Sequence, residues 1–138
     1  MEKQIIYPDS SLILNVFWDD RRGERARAIL EDPLHCFMMS DYVWLETLPK
    51  MLYNKQFDQV SYMERIFSHA EFIPASGAII AKAKELAARY GLAGMDALHI
   101  ASALEGGADE FITFEKPAKP FFRIPPEVLR ITSLYETP

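Results

Sequence analysis

Four carboxylates in this chain of 138 residues stand where they could do chemistry: Asp9 directly after QIIYP, Glu46 within DYVWLETL, Asp96 within GMDALHIASAL and Glu115 within ADEFITFEK. Carboxylates crowded together repel, and without a counter-charge some are driven to protonate. A divalent cation removes that conflict. A set of carboxylate and water oxygens suits Mg²⁺ or Mn²⁺, and soft ligands are absent. Such an ion lowers the pKa of bound water and neutralises a phosphodiester as its transition-state charge builds, so the implied chemistry is metal-assisted phosphodiester hydrolysis. Each acid alone has a plainer explanation: Asp9 serves a turn, Asp96 complements a helix N-terminus, and Glu46 and Glu115 face water. What decides is whether the fold brings them together.

The elements that carry these acids are legible in outline. QIIY (4–7) is a β-branched and aromatic run closed by Pro8 and Asp9, and reads as a buried strand. SLILNVFW opens a helical region that continues through RRGERARAILED, bends near Gly23 and ends at Asp32-Pro33. LHCFMM (34–39) predicts a second strand, after which Ser40 caps a helix over 42–54 bearing Glu46. DQVSYMERIFSHA predicts a helix with Val60, Met63, Ile66 and Phe67 on one face. EFIP (71–74) is a short strand. Ser76 then caps GAIIAKAKELAARY, where Ile79, Ala83, Leu86 and Tyr90 recur at helical spacing until Gly91. GMDALHIASALEGG is a further helix with Asp96 in its first turn. EFIT (110–113) is a strand with Glu115 just past it, and VLRITSL (128–134) is the last strand, after a Pro-rich connection.

Strands alternate with helices, and the strands are continuous apolar runs rather than alternating ones. That pattern predicts the α/β class: a three-layer α/β/α domain with a central parallel sheet. Strand-to-helix junctions in such a sheet share one edge, and ligands bind there, where strand order reverses. All four acids fall on that rim.

No repeat, low-complexity tract or linker divides the sequence, so residues 1–138 are expected to form a single domain. The longest apolar candidate, SLILNVFW, is too short to cross a bilayer and carries Asn15. MEKQIIYPDSS lacks a basic leader, and the one cysteine, Cys36, rules out an intrachain disulfide or a multi-cysteine zinc site; a cytoplasmic setting is expected. The formal net charge of −5 counts against gripping nucleic acid chiefly through phosphate neutralisation. It leaves room for an enzyme that meets nucleic acid through metal ions and a local basic patch, either Arg21, Arg22, Arg25 and Arg27 or Lys116, Lys119 and Arg123; the plainer reading of both is a solvated face. GxxxxGK[ST], GxGxxG and a DxDx[TV] step are absent, which leaves little support for a phosphotransferase or phosphatase.

PDSSLIL, the Glu46 helix, GMDALHIASAL and ADEFITFEK together resemble the PIN-domain family, and the chain's size is similar to that of its VapC-type toxins. The most specific part is DALHIASAL followed by a strand and a Thr-X-acid step, and the resemblance covers essentially the whole chain. It implies a PIN-like fold and an endoribonuclease that cuts RNA, with Asp9, Glu46, Asp96 and Glu115 binding Mg²⁺ or Mn²⁺ and Ser10 and Thr113 supporting them. It further implies the toxin of a toxin–antitoxin pair, a homodimer, and a small antitoxin whose basic or aromatic segment covers the acidic pocket; the chain's acidity suits such a partner. A rival reading is a PIN-like binding or scaffold module that has lost activity.

One departure favours that rival. The family usually has Asp where this chain has Glu115, and the extra methylene predicts ligation through water or none. Asp109 precedes its strand and is expected at the opposite sheet edge; Asp41 ranks behind Glu46. The helical offset of His99, one turn beyond Asp96, allows it to aim at the site, but the expected reading is neutral packing in the core, because metal-nuclease chemistry needs no histidine base. Cys36 reads as a small buried hydrophobe. Trp18, Trp44, Phe17 and Tyr53 are core aromatics by default, with a hydrophobic partner surface as the alternative.

Overall fold

In the computed structural model, which describes residues 3–136, the chain runs β1 (Gln4–Pro8), α1 (Ser10–Asn15), α2 (Arg21–Leu30), β2 (His35–Ser40), α3 (Asp41–Tyr53), α4 (Phe57–Ile66), β3 (Glu71–Ile73), α5 (Gly77–Tyr90), α6 (Gly94–Gly106), β4 (Glu110–Thr113), a 3-10 turn (Pro120–Arg123) and β5 (Arg130–Ser133). The strands form one five-stranded sheet in the order β3-β2-β1-β4-β5. Every pairing is parallel: Ile6 stands opposite Phe37 of β2 on one side and Glu110 of β4 on the other.

Both faces of the sheet are covered, as the continuous apolar strands require. Successive side chains of a strand point to opposite faces. Tyr7, Met38 and Phe111 accordingly join one core with Val43, Ile79, Leu86 and Ile100 of α3, α5 and α6. Ile6, Phe37 and Ile112 join the other with Leu12, Val16, Ala26 and Leu30 from the α1–α2 side. The result is the expected three-layer α/β/α arrangement around a central parallel sheet.

From β1 the chain builds outward through β2 and β3, then returns to place β4 on β1's other side. Strand order therefore reverses between β1 and β4, which opens a crevice at their C-terminal ends. The Asp9 N–H donates to Ile112 O at 2.9 Å across that crevice.

The helical region after β1 departs from the expected bend near Gly23. It breaks earlier, between Asn15 and Arg21, because Asp20 starts a new helix: its carboxylate accepts from the N–H groups of Arg22 at 2.9 Å and Gly23 at 3.4 Å. Gly23 sits inside α2, where a Cβ would lie 1.7 Å from Trp18 O, so its smallness lets the loop fold onto the helix. Ser40 and Ser76 do cap α3 and α5, accepting from Val43 and Ile79 N–H at 3.2 Å each. Gly91 closes α5 in the left-handed conformation with φ 70°. No helix among the described residues is long and apolar enough to cross a membrane.

Candidate metal centre

Asp9 is the innermost of the four acids, 6% exposed, at the end of β1. It is the N-cap of α1: Oδ1 accepts from Ser10 N–H at 3.0 Å, while Oδ2 accepts from the hydroxyls of Ser11 at 2.8 Å and Thr113 at 2.7 Å. The end of β4 is thereby tied to the end of β1. The Thr113 hydroxyl also accepts from Glu115 N–H at 2.9 Å, and Ser11 Oγ accepts from Phe114 N–H at 3.0 Å. Ser11, which sequence reasoning passed over, does as much here as Ser10 and Thr113. The second serine of PDSS was its only signal.

Glu46 reaches the same place from α3. Its Oε1 accepts from Ser10 Oγ at 2.9 Å, so Ser10 bridges Asp9 through its amide and Glu46 through its hydroxyl. The same oxygen lies 2.5 Å from His99 Nε2 on α6. His99 is 2% exposed, and its Nδ1 lies 2.8 Å from the hydroxyl of Tyr7, which in turn lies 2.6 Å from Ser40 Oγ. Since an ionised carboxylate only accepts, a neutral His99 carries its proton on Nε2 and takes one from Tyr7 at Nδ1. Burial pushes the Tyr7 phenol above its ordinary value, so it remains a protonated donor. The hydrogen bond from His99 holds the Glu46 carboxyl below the usual carboxylate range. His99 is thus buried as expected, but it is also an arm of the core that grips Glu46.

Asp96, in the first turn of α6, makes no capping bond; Ala93 is the N-cap. Its Oδ2 lies 3.1 Å from Lys119 Nζ instead. Glu115 contributes only its backbone to hydrogen bonds among the described residues: its N–H donates to Thr113, and its carbonyl accepts from Ser133 Oγ at 2.6 Å. Its carboxylate acts on Lys119 through charge, as does that of Asp9.

All four acids therefore face one crevice. As the side chains are placed, however, no three His, Cys, Asp or Glu residues among those described group closely enough to hold one ion. The donor chemistry nevertheless fits a hard divalent cation. The set is entirely oxygen, and Glu46 Oε2 and Asp96 Oδ1 have no hydrogen-bond partner within the described chain. The conflicting positive charge is that of Lys119.

The outlying acids have structural work. Asp109 Oδ2 accepts from Ile5 N–H at 2.8 Å near the far edge, and Asp41 Oδ2 accepts from Ala75 N–H at 2.7 Å. Glu110, unremarked in the sequence, is 6% exposed in β4 and takes a hydrogen bond from Gln4 at 2.7 Å. Cys36 is half-buried with a free thiol.

The arginine patch is occupied within the chain. Arg21 and Arg25 pair with Glu136 at 2.7 and 3.1 Å, Arg22 pairs with Asp20 at 2.8 Å, and Arg27 donates to Val16 O at 2.8 Å. Of the second patch, Arg123 donates to Tyr90 O at 2.9 Å, and Lys119 has turned inward to the acids. The aromatics expected in the core divide. Phe17 packs against it, whereas Trp18, Trp44 and Tyr53 are exposed, Trp18 lying in the α1–α2 loop beneath the Arg22 guanidinium.

The PIN domain family model matches residues 6–119, which include every residue of this crevice. No curated protein matches the chain in sequence. Among solved structures, it is similar to a toxin–antitoxin complex from Klebsiella pneumoniae, with a TM-score of 0.68 and 25% identity over 96% of this chain and 99% of that one. It also resembles VapBC2 from Rickettsia felis bound to a DNA fragment from its promoter (TM-score 0.67, 17% identity, 94% and 98% covered). DNA-bound VapBC from Salmonella typhimurium is similar at a TM-score of 0.57 (17% identity, 96% and 98% covered). At 17% identity, the last two speak for the fold alone.

Proposed function

The chain belongs to the PIN-domain family, with a VapC-type fold, and from that premise we propose that it is a Mg²⁺- or Mn²⁺-dependent endoribonuclease, the toxin of a toxin–antitoxin pair. The observation that carries this reading is the bridge through Ser10: one residue joins Asp9 and Glu46 at the strand-order switch, with Asp96 and Glu115 facing the same crevice. Asp9, Glu46 and Asp96 would hold the ion, with Glu115 completing the set directly or through water. Bound there, the ion supplies Lewis acidity toward a phosphodiester and its attacking water. The chain's own part is orientation. Ser11 and Thr113 fix Asp9, while Ser10 and His99 fix Glu46, so two carboxylates are aimed before any ligand arrives.

In this reading residues 1–138 work as one cytoplasmic domain that dimerises and is covered by a small antitoxin. The 25% identical toxin–antitoxin complex from Klebsiella pneumoniae supports such a partner, and exposed Trp18, Trp44 and Tyr53 offer it apolar surface. The test is incubation of the purified chain with single-stranded RNA and Mg²⁺ or Mn²⁺, beside Asp9→Asn. Cleavage by wild type and its loss in the variant are expected; cleavage undiminished in Asp9→Asn would remove the site.

The alternative, a weakly active or inactive binding module, draws support from Glu115 and from the ammonium standing among the acids. Tight Mn²⁺ binding without RNA cleavage would favour it.

A further inference from the structure

Lys119 carries a charge opposite to that of its surroundings, and its backbone is fixed. Its N–H donates to Lys116 O at 3.0 Å, and its carbonyl accepts from Phe122 N–H at 3.0 Å as the 3-10 turn begins at Pro120. Phe121, the second residue of that turn, is buried with its ring edge-on to Phe111 at 5.5 Å. The turn is therefore pinned to the core, and the four-carbon stem carries the charge out from it. That stem brings Nζ to 3.1 Å from Asp96 Oδ2, with the side chain 33% exposed. Glu115 and Asp9 also attract the ammonium, and it in turn favours the ionised form of Glu46.

We propose that Lys119 is a tethered counter-cation that holds the carboxylate cluster together in the metal-free chain and competes with the divalent ion for Asp96. The inference rests on the metal-nuclease reading of the same crevice. Repulsion among the acids is relieved by either positive charge. An ammonium at Oδ2 and a divalent ion at Oδ1 of one carboxylate repel each other, so each weakens the other's hold on Asp96. The placement of the acids agrees: Asp96 pairs with the ammonium, Asp9, Glu46 and Glu115 lie within reach of its charge, and no three of those described converge on a common point. Lysine suits a displaceable cation, because a single point charge on a flexible stem withdraws without breaking a two-pronged guanidinium grip. Metal loading would then be set against an internal competitor at fixed concentration, which makes the metal-free state a defined, stable resting form.

The experiment compares Mn²⁺ affinity, by titration calorimetry or the loss of the free-Mn²⁺ spin-resonance signal, with melting temperature in the full chain. Wild type is set beside Lys119→Met and Lys119→Arg, with Lys119→Gln in place of the methionine variant should that fail to fold. Lys119→Met should bind Mn²⁺ about tenfold more tightly than wild type, melt lower without metal, and regain the loss at saturating Mn²⁺. Lys119→Arg should bind no more tightly than wild type. A purely structural ion pair would lower the melting temperature and leave Mn²⁺ affinity unchanged; that outcome overturns the competition while leaving the metal reading intact. Failure of wild type and every variant to bind Mn²⁺ would overturn both.

Discussion

His99 Nε2 and Glu46 Oε1 lie 2.5 Å apart, so a carboxylate at the mouth of the crevice is held by an imidazole that the core has closed over. Behind it the chain of hydrogen bonds runs through Tyr7 to Ser40, the N-cap of the helix that carries Glu46. The orientation of one crevice acid is thus set by residues from β1, β2 and α6 together.

Replacing His99 by Phe should leave Glu46 without its strongest donor and the Tyr7 hydroxyl with one partner fewer. RNA cleavage should fall about 10- to 100-fold, the usual cost of losing a group that orients a metal ligand. Stability should drop by roughly 1–3 kcal/mol, because a buried hydroxyl loses its acceptor. Cleavage rates and urea unfolding check this together. A stability loss with an unchanged rate would confine His99 to the core.

Glu115 and Asp9 should respond differently to truncation. Asp9 accepts three hydrogen bonds, whereas the Glu115 carboxylate accepts none among the described residues. Asp9→Ala should therefore abolish cleavage and cost about 1–3 kcal/mol through stranded donors and a lost helix cap. Glu115→Ala should lose less activity and little stability, and Glu115→Asp should keep or raise activity. Complete loss in Glu115→Ala, equal to that of Asp9→Ala, would make the glutamate a full ligand.

Chelation should stop the reaction. An all-oxygen donor set selects Mg²⁺ or Mn²⁺ over zinc. Cleavage should vanish in EDTA and return with excess Mg²⁺ or Mn²⁺, and zinc should substitute poorly. RNA cutting at full rate in excess EDTA would end the metal scheme.

Gly23→Ala should destabilise the chain by at least about 1–3 kcal/mol, the range for overpacking a closed site. The added carbon would meet Trp18 O at 1.7 Å, so the α1–α2 loop must move. Thermal melting measures it. A melting temperature equal to wild type would show that the loop yields freely.

The outline of this fold is legible in the sequence because its causes are local. Short β-branched and aromatic runs such as QIIY and EFIT, bounded by turn residues, read as buried strands, and their alternation with helical spacing calls for parallel pairing. Ser40 and Ser76 announce helix starts because a hydroxyl at that position meets the amide three residues on. Asp9 and Glu115 follow strand ends and Glu46 lies in the helix directly after β2, junctions that share one edge in a parallel sheet; Asp96 starts a helix that follows another helix, so that rule does not place it. Where local signals compete, the outline blurs: Gly23 read as a bend, but the cap at Asp20 placed the break before it.

Partnership across the crevice was decided by tertiary structure alone. Helical spacing puts His99 near Asp96, yet its ring turns to Glu46 and Tyr7, both remote in sequence, because strand order sets α3 and α6 against the same end of β1. Lys119 read as part of a basic patch, and only the buried anchor at Phe121 turns its stem back onto Asp96. The arginines of α2 likewise found acids and carbonyls of this chain. Sequence thus determined which residue types stand at the rim, since capping, burial and strand length act over a few residues. Which charges meet there depends on long-range packing that brings a flexible side chain within about 3 Å of its partner, where hydrogen-bond and ion-pair strength is decided.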